Sequence, residues 1–374
     1  MRRIALVNQK GGVGKTTTAA NLGAALARSG RRVVLVDLDP QGNLSTHLSV
    51  EVERRAPSSY GVLAGQCTFK EALYPTRTVG LSIVPTNVDL AGAELELAGE
   101  MGRELILREA VDTWEDAARA SSGGPPAEYL IFDCPPSLSL LSINALVASR
   151  EVFIALQTEF LALQGMTRLL DVIGLLQRRL NPSLAVTGIV PCLYDSRLRL
   201  AREVLGELRR YFPEQCFRRP IGTNVKLAEA PSYGQSVFEY APESSGARDY
   251  EQLAEEVIEQ ERLRRPGLDA SALVPRAPEP KAASAPVNRP HPAVNRPDAA
   301  ANRSHAAANR SHAAVDGRTA KDPTNGNRSP SSAGDESARD RSAESEGSSP
   351  SEDGLPELPA EAIEVEPGRG AAAG

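Results

Sequence analysis

Short apolar runs alternate with longer segments of helical spacing through the first 264 residues of the chain. The runs are rich in valine, isoleucine and leucine, and they occupy residues 4–7, 33–36, 81–84, 129–132, 152–156 and 185–190. Segments with helical character lie at residues 18–29, 60–73, 89–120, 161–180 and 248–264. Short continuous apolar runs are typical of strands buried on both faces. Because strand and helix alternate, the pattern predicts an α/β fold with a doubly wound, mainly parallel sheet and helices on both faces.

The pattern ends near residue 265, where the composition changes to alanine, proline, serine, asparagine, arginine and acidic residues. Every aromatic residue lies at or before Tyr250. The dipeptide Asn-Arg then recurs every seven residues, at 288, 295, 302 and 309. A seven-residue period is typical of a coiled coil, but these repeats carry no large apolar side chains and two contain proline. We therefore expect one domain over 1–265 and a disordered, low-complexity tail over 266–374 that is acidic from 335 to 366.

The loop between the first predicted strand and the first predicted helix is rich in glycine. It consists of Gln9-Lys10-Gly11-Gly12-Val13-Gly14-Lys15-Thr16-Thr17. Glycine lets several backbone N–H groups turn toward one anion, and the helix N-terminus adds free amides and a partial positive charge. Lys15 is placed to reach the β- and γ-phosphates, and the Thr16 hydroxyl is placed to bind Mg²⁺. The motif predicts a nucleotide site.

Two predicted strands end in aspartates. Residues 33–36 lead into Asp37-Leu38-Asp39-Pro40-Gln41-Gly42-Asn43, and residues 129–132 lead into Asp133. A turn or a helix cap would account for such aspartates in an arbitrary protein. Open α/β sheets, however, bind ligands at the carboxyl ends of their strands. Beside the glycine-rich loop, Asp133 is therefore a candidate for holding Mg²⁺ through water.

The glycine-rich loop departs from the common pattern G-x-x-x-x-G-K-[ST], because Gln9 stands at its first glycine and a second lysine, Lys10, follows. This variant resembles the deviant Walker A motif of the ParA/MinD group of ATPases. The stretch from Asp37 to Asn43 resembles the D-x-D-P-Q-G-N signature of ParA and Soj proteins. The resemblance implies that ATP joins two copies, with Lys10 crossing the dimer interface to the partner's phosphates. It also implies that Asp39 orients the attacking water.

The resemblance assigns residues to three roles. Lys10, Lys15 and Asp39 would be catalytic, and Thr16 and Asp133 would hold Mg²⁺. The residues expected to bind ATP are Lys10, Gly11, Gly12, Val13, Gly14, Lys15, Thr16 and Thr17.

A second feature is a local excess of positive charge between residues 197 and 226, with eight basic residues and three acidic ones. A charge-rich helix of this kind is often only a solvated face. Here the segments 194–197 and 223–232 resemble two elements of Soj-type proteins, which implies that Arg197 and Lys226 bind DNA. Thr223 stands where the family often has arginine, and Arg218 and Arg219 are candidates to replace it. Since no helix-turn-helix, zinc finger or aromatic stacking set is visible, we expect contacts to phosphates without base readout.

The net charge, the cysteines and the lengths of the apolar runs exclude several classes of protein. The formal net charge is -6, so binding to nucleic acid has to depend on a local patch. The four cysteines, at 67, 134, 192 and 216, show no C-x-x-C spacing and are expected to be ordinary thiols. No leader peptide and no run of about 20 apolar residues is present, which predicts a cytoplasmic protein without membrane contact.

The implied function is a partition ATPase. Its ATP-bound homodimer would coat double-stranded DNA at the nucleoid, and a ParB-type centromere-binding protein would stimulate a slow hydrolysis that releases it. One alternative is a MinD-like positioning ATPase with a non-DNA surface or protein cargo. Another is a relative of the nitrogenase iron protein, but the four cysteines do not match its cluster pattern.

Overall fold

The structure is a computed structural model that describes residues 1–159 and 162–263. The predicted tail over 266–374, with its Asn-Arg repeats, lies outside the described residues, as does the boundary at 265. The interpretation of these segments therefore stays a prediction.

Seven strands form one sheet in the order β3-β4-β2-β5-β1-β6-β7. The strands are β1 (Arg2–Val7), β2 (Val33–Asp37), β3 (Tyr74–Pro75), β4 (Leu81–Val84), β5 (Tyr129–Asp133), β6 (Glu151–Gln157) and β7 (Ala185–Cys192). All neighbouring pairs are parallel except β3 with β4. Because β1 lies between β5 and β6, the chain winds outward in both directions from the centre, which confirms the predicted doubly wound, mainly parallel sheet.

Helices connect the strands. Those of the described residues are α1 (Lys15–Arg28), α2 (Asn43–His47), α3 (Ser59–Leu63), α4 (Leu90–Glu96), α5 (Ile106–Ser122), α6 (Leu140–Ala148), α7 (Ala162–Arg179), α8 (Arg199–Tyr211), α9 (Val225–Glu229), α10 (Val237–Tyr240) and α11 (Ser245–Leu263). Two 3₁₀ turns lie at Leu97–Gly99 and Ala230–Tyr233. Over the described ranges, no helix combines the length and apolar character needed to cross a bilayer.

Alternate side chains of the central strands supply two separate cores. Ile4 and Leu6 of β1 lie in the core that includes residues of α1 and α11. Ala5 and Val7 lie in the core on the opposite face, which includes residues of α5, α6 and α7. This follows from the two-residue period of a strand, and it explains why the predicted strands are continuous apolar runs rather than alternating ones.

Several elements differ from those expected. Of the helical pieces expected over 60–73 only α3 (Ser59–Leu63) forms, and the last helix begins at Ser245 rather than at residue 248. The helix after the glycine-rich loop begins at Lys15 rather than at residue 18. The helical stretch expected over 89–120 is divided into α4 and α5, and Gly102 in the connection has a positive φ of 72°. The hydrophobic pattern does not predict the strand β3, because Tyr74-Pro75 is too short to show a period.

Both edges of the sheet are protected against the addition of a further strand. Strand β3 ends in Pro75, which has no backbone N–H to donate. Along the outer side of β7, the Phe217 amide donates to the Ile189 carbonyl oxygen at 3.0 Å. Beyond the end of β7, the Tyr194 amide donates to the Ile221 carbonyl oxygen, also at 3.0 Å. The segment around residues 215–222 therefore covers the outer edge of β7.

Candidate functional site

The glycine-rich loop connects the end of β1 to the start of α1. Gly12 and Gly14 have positive φ values of 71° and 94°, which a residue with a Cβ rarely adopts. Gly14 is the N-cap of α1, where no side chain caps the helix and no acidic residue occupies the first turn. The first amides of α1 are thus not satisfied by a capping side chain, and they can bind an anion.

Lys15 lies under this loop rather than in solvent. The residue is 6% exposed, and its Nζ donates to the Lys10 carbonyl oxygen at 3.4 Å. Burial lowers the pKa of its ammonium group, while the charges of Asp133 and Asp39 act in the opposite direction. A buried ammonium without a direct carboxylate partner is unfavourable by itself, and phosphate oxygens would supply the missing countercharge.

Two buried carboxylates face each other across the ends of β2 and β5. Asp37 and Asp133 are partners in the register of these strands, and both are completely buried. Neighbouring strands lie roughly 4.8 Å apart, so the two charges repel each other. Burial, with the repulsion from Asp37 as a second cause, raises the pKa of Asp133 to about 8. Burial likewise raises the pKa of Asp37 to about 6, although its hydrogen bonds to Ser45 and Asp39 favour the charged form.

The Asp133 carboxylate fits a magnesium site. Within residues 1–159 and 162–263, neither of its oxygens has a hydrogen-bond partner of ordinary geometry, although the Thr16 hydroxyl is close enough to favour the charged form. A buried carboxylate without a partner is costly. Carboxylate and hydroxyl oxygens are ligands that Mg²⁺ prefers, and it usually retains several waters. Thr16 and Asp133 therefore form a donor set that suits Mg²⁺ beside a nucleotide.

Asp39 follows β2 on a tight turn at the same edge of the sheet. It is 8% exposed, and its Oδ1 accepts a hydrogen bond from the Gln41 amide at 3.0 Å. The Asp39 amide donates to Asp37 Oδ1 at 3.1 Å. The structure thus brings Asp39 to the edge that carries Lys15 and Asp133, as the sequence predicts for strand ends of a parallel sheet.

Lys10 differs from Lys15 in its surroundings. Its side chain is 53% exposed, and its Nζ lies 2.7 Å from Glu159 Oε2 and 2.9 Å from Gln157 Oε1. Gln157 is the last residue of β6 and Glu159 lies two residues beyond it, so the lysine is held against its own chain. The role of Lys10 at a dimer interface stays a prediction, because a single chain is described.

The other loop residues occupy ordinary positions for a phosphate loop. Val13 is buried in the core shared with α1, and Thr17 accepts a hydrogen bond at its carbonyl oxygen from Asn21. A Cβ added to Gly11 or Gly12 would meet no atom within 4 Å, so space lies in front of both backbones. A phosphate can therefore approach the loop closely.

The structure separates the four basic residues expected to bind DNA into two pairs, Arg197 with Lys226 and Arg218 with Arg219. The Thr223 amide donates to the Tyr194 carbonyl oxygen at 3.1 Å, which joins the segments that carry Arg197 and Lys226. Arg197 is 88% exposed at its side chain and pairs with Asp195 at 2.8 Å, and Lys226 pairs with Glu229 at 2.8 Å. Both cations are therefore exposed on two segments that a backbone hydrogen bond joins, and each has a carboxylate partner.

Arg218 and Arg219 are bound to α11. Arg218 pairs with Glu259 at 2.5 Å and with Glu256 at 3.4 Å. Arg219 pairs with Asp249 at 2.5 Å. Each arginine thus has an intrachain carboxylate partner, as Arg197 and Lys226 do, and the hypothesis that Arg218 and Arg219 replace the missing cation at Thr223 stays a prediction.

Two arrangements at these sites are not evident from the sequence. The rings of Tyr233 and Tyr240 stack at 4.7 Å, and Lys226 Nζ lies 5.4 Å from the Tyr240 ring centre, although the sequence shows no aromatic stacking set. In the sequence Asp37 is only part of a motif, whereas in the structure it is a buried acceptor for Ser45 and Asp39. The order Asp37-Leu38-Asp39 directly after an apolar run could have indicated the role of Asp37, because it makes Asp37 the last residue of the buried strand β2.

Comparisons with known proteins agree with this geometry. A family model described as an AAA domain matches residues 1–186. The chain is 43% identical over 264 residues to chromosome partitioning protein ParA of Caulobacter vibrioides, covering 71% of this chain and 96% of that protein. It is 45% identical over 259 residues to the chromosome-partitioning ATPase Soj of Thermus thermophilus, covering 69% and 96%.

A solved structure shares the fold. Cobyrinic acid a,c-diamide synthase from Mycobacterium smegmatis, with a bound ATP analogue and magnesium, matches with a TM-score of 0.59 and 36% identity. The match covers 71% of this chain and 97% of that chain. Because the identity to ParA and Soj proteins exceeds 40% over nearly their whole length, the chain belongs to the ParA/Soj family of partition ATPases.

Proposed function

We propose that this protein is an ATP-dependent DNA-partitioning ATPase. Its ATP-bound dimer binds double-stranded DNA without sequence preference, and hydrolysis, stimulated by a ParB-type partner, releases the DNA. The observation that carries the proposal is the combination of a glycine-rich loop, the buried Lys15 that follows it, and the buried Asp133 carboxylate, whose oxygens accept no hydrogen bond of ordinary geometry within the described residues. Within the cell, such a protein would associate with the nucleoid.

The residues of the site would divide the work of hydrolysis. The loop amides and Lys15 would bind the phosphates, and Thr16 and Asp133, the latter through water, would hold Mg²⁺, which supplies neutralisation of charge on the phosphate oxygens when bound. Asp39 orients water for attack on the γ-phosphate. Lys10 leaves Glu159 and reaches the phosphates bound by a second copy, so that ATP closes the dimer.

DNA binding would use the surface formed by Arg197 and Lys226. Its support is the exposure of both side chains and the hydrogen bond that joins their segments. Two copies in a dimer double the number of phosphate contacts, and affinity for DNA then falls steeply with salt. Arg218 and Arg219 contribute only if DNA displaces their partners on α11.

A gel shift on random-sequence DNA tests the proposal. The Asp39→Ala protein is compared with ATP, with ADP and without nucleotide, at two salt concentrations. We expect a shift with ATP alone that weakens at the higher salt, since this variant holds ATP without turning it over. The Lys15→Ala protein, which should not bind nucleotide, is the matched control and should give no shift.

The absence of a gel shift would favour the MinD-like alternative. If the Asp39→Ala protein forms a dimer with ATP but gives no shift at either salt concentration, DNA is not its track. A MinD-like positioning ATPase that acts on another surface or on a protein cargo would then replace the proposal.

A further inference from the structure

Ser45 lies at a junction of three segments close to the nucleotide site. It belongs to α2, two residues after the helix start, and is 2% exposed. Its amide donates to Asp37 Oδ2 at 2.9 Å, and its hydroxyl donates to the same oxygen at 2.7 Å. The hydroxyl oxygen also accepts a hydrogen bond from the Thr86 amide at 3.0 Å. One side chain thus ties the end of β2 to the loop that follows β4.

The two oxygens of Asp37 hold the two ends of one short loop. Oδ1 accepts from the Asp39 amide at 3.1 Å, and Oδ2 accepts from Ser45. Within the loop, the Gly42 amide donates to the Asp39 carbonyl oxygen at 2.9 Å. The segment from Asp39 to Ser45 is therefore closed on itself, with Asp39 at its first position.

This closure has a direct bearing on Asp39. A water-orienting carboxylate has to be held within a fraction of an ångström of its productive position, by neighbours that are themselves fixed. Asp37 is fixed by the sheet, but the far end of the loop is fixed through Ser45. Helix capping does not account for Ser45, because the N-cap of α2 is Gly42.

We propose that Ser45 is a positioning residue for ATP hydrolysis, which acts by holding the Asp39 loop on the Asp37 carboxylate and the Thr86 amide. The proposal rests on the proposed function, in which Asp39 orients the attacking water. Ser45 itself touches neither the nucleotide nor the water in this scheme. Its removal should lower the rate of turnover and leave nucleotide affinity nearly unchanged.

Steady-state ATPase kinetics of Ser45→Ala and Ser45→Thr test this role, together with a titration of labelled ATP. We expect kcat of Ser45→Ala to fall by about tenfold. The variant removes the hydroxyl that donates to the Asp37 carboxylate and leaves the buried Thr86 amide without its acceptor. The dissociation constant for ATP should stay within about twofold. Ser45→Thr keeps the hydroxyl and should retain most of the rate.

Ser59→Ala is the matched control. Ser59 is completely buried, its amide donates to the Pro85 carbonyl oxygen at 2.8 Å, and its hydroxyl has no hydrogen-bond partner among the described residues. Ser59→Ala also removes a buried serine hydroxyl, at a residue that contacts Pro85 next to Thr86, and it should have the wild-type kcat.

Two results would overturn the proposal. One is a wild-type kcat for Ser45→Ala. The other is a parallel loss of kcat, ATP affinity and melting temperature in Ser45→Ala, since that pattern indicates a general structural role. A failure of the ATPase activity on which this proposal rests is distinguishable, because the wild-type protein itself would then show no ATP hydrolysis with Mg²⁺, whereas a failure of DNA binding alone would leave the comparison of Ser45 variants valid.

Discussion

The phosphate loop and the basic surface both concentrate charge, but they hold it in opposite ways. Lys15 and Asp133 are buried, and neither forms a direct ion pair with the other or with another described residue. Arg197 and Lys226 are exposed, and each pairs with a carboxylate two or three residues away in the chain. Unbalanced buried charge is strongly unfavourable, whereas an exposed ion pair has a small net effect. The buried Lys15 ammonium therefore favours an anionic ligand, while the exposed cations of the second region can exchange their partners easily.

The largest effect is expected from removing the buried cation. Lys15→Ala deletes the group that we propose to face the phosphates and should weaken ATP binding by at least about a hundredfold, because charge-assisted hydrogen bonds are lost in a buried site. A titration with labelled ATP measures the change. Lys70→Ala removes an exposed lysine and should bind ATP like the wild type. Equal affinities of the two variants would contradict the assignment of Lys15.

The buried carboxylate should make binding of Mg²⁺ and ATP dependent on pH. With its pKa raised to about 8, Asp133 is mostly protonated at pH 7, and a metal ion requires the ionised form. Below pH 8, binding should therefore release a proton, and affinity should rise by about tenfold per pH unit at most. Titration calorimetry in buffers of different ionisation enthalpy measures the number of protons released on binding. Asp133→Asn should abolish the release, and an unchanged release would assign the proton to another group.

Reversing one exposed charge should have a smaller effect that is confined to DNA. Arg197→Glu should lower DNA affinity by about tenfold and reduce the salt dependence, since phosphate contacts are lost in both copies of a dimer. ATP hydrolysis without DNA should not change. Arg77→Glu makes the same charge change on the exposed loop before β4, at the amino ends of the strands, and is the control. A gel shift that weakens equally in both variants would show only a general charge effect.

Lys10 combines features of both regions and should give the smallest effect. It belongs to the phosphate loop, but it is half-exposed and paired with Glu159 like the cations of the basic surface. Glu159→Gln should release it and strengthen ATP-dependent dimerisation by about two- to threefold, the magnitude of an exposed ion pair. Analytical ultracentrifugation in the Asp39→Ala background measures this. Weaker dimerisation of Glu159→Gln would contradict this prediction and would indicate that Glu159 stabilises the dimer.

The same contrast explains how much of the site the sequence predicts. The continuous apolar runs before Asp37 and Asp133 place both acids correctly at the ends of β2 and β5, because such a run is typical of a strand buried on both faces. The glycine-rich loop is equally informative, since its backbone conformation requires glycine at 12 and 14. These residues are constrained by local chemistry, which a single sequence shows directly.

Long-range pairing cannot be predicted from the same sequence. The closure of the Asp39 loop depends on Thr86, which is 41 positions from Ser45 in the chain. The pairing of Arg219 with Asp249 and the stacking of Tyr233 on Tyr240 depend on how separate helices pack. The local excess of basic residues therefore indicates a surface but not which cations remain available on it.

The modified sheet edges limit how copies of this protein can join. Unprotected edge strands invite strand addition, which leads to continuous sheets and fibres. Here Pro75 interrupts one edge, and the segment around residues 215–222 occupies the other. The proposed ATP-dependent dimer would instead join at the loops at the carboxyl ends of the strands, where its contacts could form and separate with each nucleotide cycle without strand addition.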